Sequence, residues 1–155
     1  MTLFYRCFVT ALAGLVLSSG ALAADKPRKS YSDKELVAIL KAEGFAAADI
    51  FDERVIQIKV DGQAYYLNVY NDDDLQMYYG VTGYSIPVAA MNEWNRTRRL
   101  SRAYIDDEGD PVIESDLLAN AGYTERQLVE FVKVFIDVVD VFRDYLRETD
   151  GVTET

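Results

Sequence analysis

Asp61-Gly62 stands between two runs, Val55 to Val60 and Gln63 to Tyr70, in which apolar and polar residues alternate. No other feature constrains the fold of this chain as strongly. An alternating run is a strand with one buried face, and Asp-Gly suits the type I′ turn, whose twist matches that of two antiparallel strands. With a two-residue turn Val60 faces Gln63, Ile58 faces Tyr65 and Ile56 faces Leu67, so one side of the hairpin is consistently apolar. The other side carries Gln57, Lys59, Tyr66, Asn68 and Tyr70, the pattern of an antiparallel sheet with one packed face. A polar loop, Asn71 to Asp74, leads to a third expected strand, Leu75 to Tyr79.

Helices are expected on either side of these strands. Ser32 and Glu35 have the spacing of a capping box, with Tyr31 and Leu36 placed as the hydrophobic staple around it and Gly44 as a left-handed stop. Pro87 suits a first helical position, and that second helix should reach about Arg98. A second hairpin follows, Leu100 to Asp106 and Val112 to Leu118 about the turn Asp107 to Asp110. Thr124 and Gln127 form another capping box, flanked by Tyr123 and Leu128. The valine-rich stretch beyond them is helical rather than extended, because Arg126, Glu130, Lys133, Asp137, Asp140, Asp144 and Arg147 recur at steps of four and three. Lys133 with Asp137, and Arg126 with Glu130, stand four apart and can pair along this stripe. From Thr124 to Arg147 this last helix would be about 36 Å long. Phe131, Phe135, Val138, Phe142 and Leu146 give it one apolar side, and Val134, Val141 and Tyr145 give it another. That exceeds what one sheet face covers, so self-association through this helix, a homodimer, is expected.

The element order αβββαββα describes an α+β domain, an antiparallel sheet packed against helices. The chain has 155 residues, enough for one such domain. Its first 23 residues read as a secretory signal: Arg6 ahead of the apolar run Phe8 to Leu17, then Ala21-Leu22-Ala23 as a cleavage site. The run is too short to span a bilayer, which takes about 20 apolar residues. A periplasmic or secreted protein with no membrane span after cleavage is expected. Residues 24–31 read as a flexible leader, 32–148 as the domain and 149–155 as a disordered tail. Cleavage would remove Cys7, the only cysteine, and the chain has no histidine, which excludes Ser-His-Asp and Cys-His catalysis. A net charge of −10 repels nucleic acid.

Asn92-Glu93-Trp94-Asn95, then Arg98-Arg99-Leu100, Ala103-Tyr104, the acidic turn Asp106 to Asp110, Asp116-Leu117 and Ala121-Gly122 together resemble the YbjN family of bacterial sensory transduction regulators. Leu40-Lys41-Ala42-Glu43-Gly44-Phe45 is similar to the end of that family's first helix. The likeness runs from about Ser32 to Leu146. It implies a fold similar to the type III secretion chaperones, a non-enzymatic regulatory or interaction role, and no catalytic residues or cofactor. Leu100 departs from the aromatic common at its position in the family, and an exported member departs from cytoplasmic ones.

Three groups of residues are candidates for function. Tyr66, Tyr70 and Tyr78 share the outer sheet face and offer large contact areas with polar handles, unless a helix covers them. Asn92, Trp94 and Asn95 form either a polar-rimmed pocket or, the reading that ranks first, a tryptophan packed on the sheet with Asn95 capping a neighbouring strand or turn. Asp72, Asp74, Asp106 and Asp110 supply oxygen to a calcium ion or simply form solvated turns; the full spacing of an EF-hand loop is missing. The leading expectation is therefore a protein- or peptide-binding module of the cell envelope, chaperone-like or regulatory. A structural or calcium-responsive envelope protein comes second, and a carboxylate-based hydrolase third.

Overall fold

The computed structural model describes residues 26–150, and the expected signal peptide lies outside them. The element order is α1 (Asp33–Ala42), β1 (Ala48–Asp52), β2 (Val55–Val60), β3 (Gln63–Val69), β4 (Leu75–Gly80), α2 (Val88–Thr97), β5 (Arg102–Ile105), β6 (Pro111–Leu117) and α3 (Glu125–Thr149). The hairpin has the expected register: Ile56 opposes Leu67, Ile58 opposes Tyr65 and Val60 opposes Gln63. Asp61 and Gly62 both have positive φ, 50° and 78°, as a type I′ turn demands.

Six strands form one antiparallel sheet in the order β1-β2-β3-β4-β6-β5. The architecture is α+β, with one strand more ahead of α2 than periodicity showed. β1 escapes periodicity because Ala48 is its one buried residue and the other four are exposed. As an edge strand it needs only one neighbour, and it pairs through a bulge between Ile50 and Asp52. After β4 the chain passes through α2 to the opposite edge, enters the sheet as β5, and returns as β6 to lie beside β4.

The helices bury Leu36 and Leu40 of α1, Met91 and Trp94 of α2, and Leu128, Val132, Phe135, Val139, Phe142 and Leu146 of α3. These pack with Ile56, Ile58, Leu67, Met77 and Ile113, which are also fully buried, in one continuous core. Both capping boxes form, and both staples are buried: Tyr31 with Leu36, and Tyr123 with Leu128. Pro87 is the N-cap of α2, one position ahead of its expected place. Lys133 pairs with Glu43 of α1 at 3.6 Å, tying α3 to its neighbour rather than along its own stripe.

Within the span expected as a flexible leader, Arg28 and Tyr31 are held against the domain. Arg28 and Tyr123 exchange both backbone hydrogen bonds, at 3.0 and 2.9 Å. Arg28 also pairs with Glu35 and lies 4.2 Å from the centre of the Tyr31 ring, which rests on Tyr123 at 5.1 Å. Gly122, at φ +77°, permits this approach, because a Cβ there would meet the Arg28 backbone at 2.9 Å. Of the expected tail, Thr149 is helical, and the Ser85 N–H donates to the Asp150 carboxylate. Residues 151–155 lie outside the described ones.

Glu35 accepts from the Ser32 N–H, the Ser32 hydroxyl and the Arg28 guanidinium, which hold its carboxyl down at about 2. A depressed carboxyl stabilises the fold above the ordinary carboxylate range, and that contribution is lost as pH falls through the folded value. A pH titration followed by the Glu35 side-chain carbon resonance should thus show a midpoint near 2, moving only part of the way towards about 4.3 in Ser32→Ala, which keeps the backbone N–H and the arginine. An ordinary midpoint in the unmodified chain would mean that the box and its arginine are not formed in solution.

Candidate functional site

Strand alternation places Gln57, Lys59, Tyr66, Asn68, Tyr78, Glu114, Asp116, Arg102 and Tyr104 on the sheet face opposite the helical core. No described helix lies over it: at its ends Phe51 is 63% and Tyr70 is 48% exposed. Tyr66 and Tyr78 are directly opposed across β3 and β4, with ring centres 6.3 Å apart. Phe51 continues the row from β1, edge-on to Tyr66 at 5.3 Å. Each ring partly shields the next, so Tyr66 and Tyr78 are half-buried without a covering layer.

Polar side chains tie the row together. Gln57 donates to the Tyr66 hydroxyl at 3.0 Å. Gln76 accepts from Asn68 and from the Tyr70 hydroxyl, and donates to Asp116 at 3.2 Å. Glu114, buried to 6% exposure, accepts from the Tyr104 hydroxyl at 2.7 Å and from the Arg102 guanidinium. Burial and the bond to Glu114 push the Tyr104 hydroxyl well above the ordinary tyrosine range, and burial also raises Tyr78. The result is a fixed aromatic surface with polar handles, able to grip a polypeptide by area and hydrogen bonds.

The second group does not form a pocket. Trp94 is 1% exposed, edge-on to Phe142 with ring centres 5.0 Å apart, and its indole N–H donates to Ser101. Asn95 donates to the Ala103 carbonyl and accepts from the Ala103 N–H, both at 2.8 Å. Its amide thereby occupies the outward hydrogen-bonding groups of an edge strand, which open sheets need protected. Asn92 is exposed on α2. Trp94 thus serves packing and Asn95 edge protection, and Asn92 takes part in neither.

The acidic candidates are divided between two turns. Asp74 accepts from the Ala119 N–H at 2.5 Å, and Asp72 from the Asp74 N–H. Asp106 accepts from the N–H groups of Glu108 and Asp110, closing the β5–β6 turn. Asp72, Asp74 and Asp116 border a cleft of about 460 Å³ with Tyr70, Asn71, Gln76 and Leu118. Among the described residues no three carboxylates are grouped closely enough to hold a metal ion.

Sequence reasoning missed Phe51, Arg102, Tyr104 and Glu114 as parts of this face. Val112, Glu114 and Asp116 do recur at the strand period. What was lacking is the knowledge that β6 lies beside β4, with Glu114 opposite Tyr78.

The type III secretion chaperone SycH of Yersinia pestis, solved in complex with a stable fragment of YscM2, is similar to this structure. The two align with a TM-score of 0.53 at 13% identity, covering 71% of this chain and 98% of that chain. At that identity the likeness shows the fold alone. No curated protein matches the chain, and no described helix is long and apolar enough to cross a membrane. The family profile named YbjN, described as "Putative bacterial sensory transduction regulator", matches residues 32–148, a span that carries the sheet, its open aromatic face and the described helices except the last residue of α3. The chain belongs to the YbjN family.

Proposed function

We propose that this protein is a non-catalytic protein- or peptide-binding module of the cell envelope, with a chaperone-like or regulatory role, and that it binds through the open sheet face. The observation that carries this reading is the uncovered row Phe51, Tyr66 and Tyr78, with Tyr70 at its end. Exposed aromatic area of this kind, rimmed by polar groups, marks an interaction surface. Membership of a regulator family and a fold shared with a chaperone solved on a protein fragment support the same reading. Export rests on the Arg6, apolar-run and Ala-x-Ala signal of the first 23 residues.

The test is crosslinking in intact cells followed by envelope fractionation, comparing the unmodified chain with Tyr66→Ser combined with Tyr70→Ser. The unmodified chain should give a discrete crosslinked species in the envelope fraction, and the double variant should lose it. The variant should remain folded, because each lost ring contact is worth only about 0.5–1.5 kcal/mol. A crosslinked species that persists in the folded variant would move binding off this face. Recovery of the chain in the cytoplasm with residues 1–23 attached would remove the envelope assignment.

A further inference from the structure

Not all of the apolar circumference of α3 is buried. Val134 and Val141, two turns apart on one line of the helix, are 38% and 48% exposed. Two shallow clefts meet at Val134. One, of about 300 Å³, includes Leu100, Leu117 and Phe131; the other, of about 250 Å³, includes Arg98, Arg99, Val138 and Val141. Leu100 is anomalous twice over: its φ is +68°, a conformation that disfavours any residue with a Cβ, and its side chain is 61% exposed. The turn that carries it is held on both sides, by the Arg98 N–H on the Trp94 carbonyl and by the Trp94 indole N–H on Ser101. Strain of this sort collects where a surface is used.

The borders of this strip differ in charge. Arg98 and Arg99 stand on the α2 side, while Glu130 and Asp137 stand seven residues apart on α3. Of the nearby charges, Lys133 is paired with Glu43, Asp144 with Arg147, Asp116 accepts from Gln76, and Arg126 stands one turn before Glu130. Two copies of a chain with net charge −10 repel over most of their surfaces. On this strip Arg98 and Arg99 supply positive charge.

We propose that a second copy of this chain docks on the strip formed by Leu100, Val134 and Val141, with the two α3 helices parallel about a two-fold axis that runs along the strip. Charge selects the orientation. A two-fold along the helix direction lays the arginine border of each copy on the acidic border of the other, whereas antiparallel helices would set arginine against arginine and carboxylate against carboxylate. The strip belongs to the helical layer, so the aromatic sheet face stays open in both copies. This inference stands apart from the peptide-binding reading, and either can fail without the other.

The experiment is sedimentation equilibrium of the full chain, purified as it emerges from the cell, over a concentration series. A monomer–dimer equilibrium is expected. Arg98→Glu with Arg99→Glu should weaken it at least about tenfold, and so should Glu130→Arg with Asp137→Arg, because each places like charges on both contacts. Mixing the two double variants should restore the dimer, since the mixed pair again sets opposite charges face to face. Val134→Lys supplies a second route to dissociation at an exposed position, and circular dichroism melts confirm that each variant is folded. A chain that stays monomeric throughout the series, a dimer indifferent to these changes, or variants that fail to recombine would each overturn the proposal.

Discussion

Trp94→Ala is expected to lower the unfolding free energy by about 3–5 kcal/mol, the range for truncating a buried aromatic residue. The indole is 1% exposed and in ring contact with both Phe142 and Tyr145 of α3, the second at 5.5 Å. Its N–H donates to Ser101, at the entrance to β5, and the Arg98 guanidinium lies 5.7 Å from the ring centre. Losing the ring removes contact area, leaves a cavity and loosens the turn that brings Asn95 to the edge of β5. Urea denaturation of this variant beside Asn92→Ala measures the effect. Asn92 is exposed, so its removal should stay within about 0.5 kcal/mol. If the two variants unfolded at the same urea concentration, α2 would not be packed through its tryptophan, and Trp94 would return as a surface residue.

Leu67→Ala should cost about 2–5 kcal/mol in the same assay. Leu67 is fully buried at the centre of the sheet, opposite Ile56 on one neighbouring strand and Met77 on the other. Its immediate neighbour Tyr66 points to the other face, where the cost of truncation is limited to two ring contacts and one hydrogen bond. Successive residues of β3 should therefore separate stability from binding. A Tyr66→Ser loss as large as that of Leu67→Ala would mean that the outer face is covered, and the proposed binding surface would be lost with it.

Some of this site was legible in the sequence. Tyr66 and Tyr70 fall on one face because a two-residue Asp-Gly turn leaves a single register, and register determines the face of every later residue on that strand; that Tyr78, on the next strand, stands opposite Tyr66 comes from the β3–β4 pairing. Asn95 was expected to cap a strand or turn, and it caps β5. Phe51 was not found, because β1 lies at an edge and shows no alternation. Tyr104 and Glu114 were not found as partners of Tyr78, because the distance in sequence from β4 to β6 says nothing about adjacency.

What the sequence determined by itself is local: both capping boxes, both staples, the hairpin register, and the helical nature of the valine-rich stretch Val132 to Val141. These depend on hydrogen bonds and side-chain contacts between residues close together in the chain, so their signals survive without knowledge of the rest. The tertiary structure alone decided that β6 lies between β4 and β5, that Arg28 is held against Tyr123, and that the tyrosine face stays open while Trp94 is enclosed. Those outcomes follow from competition among distant apolar surfaces for a limited area of sheet. Burial is non-directional and scales with area, so it leaves no spacing or motif in the chain from which the winner could be read.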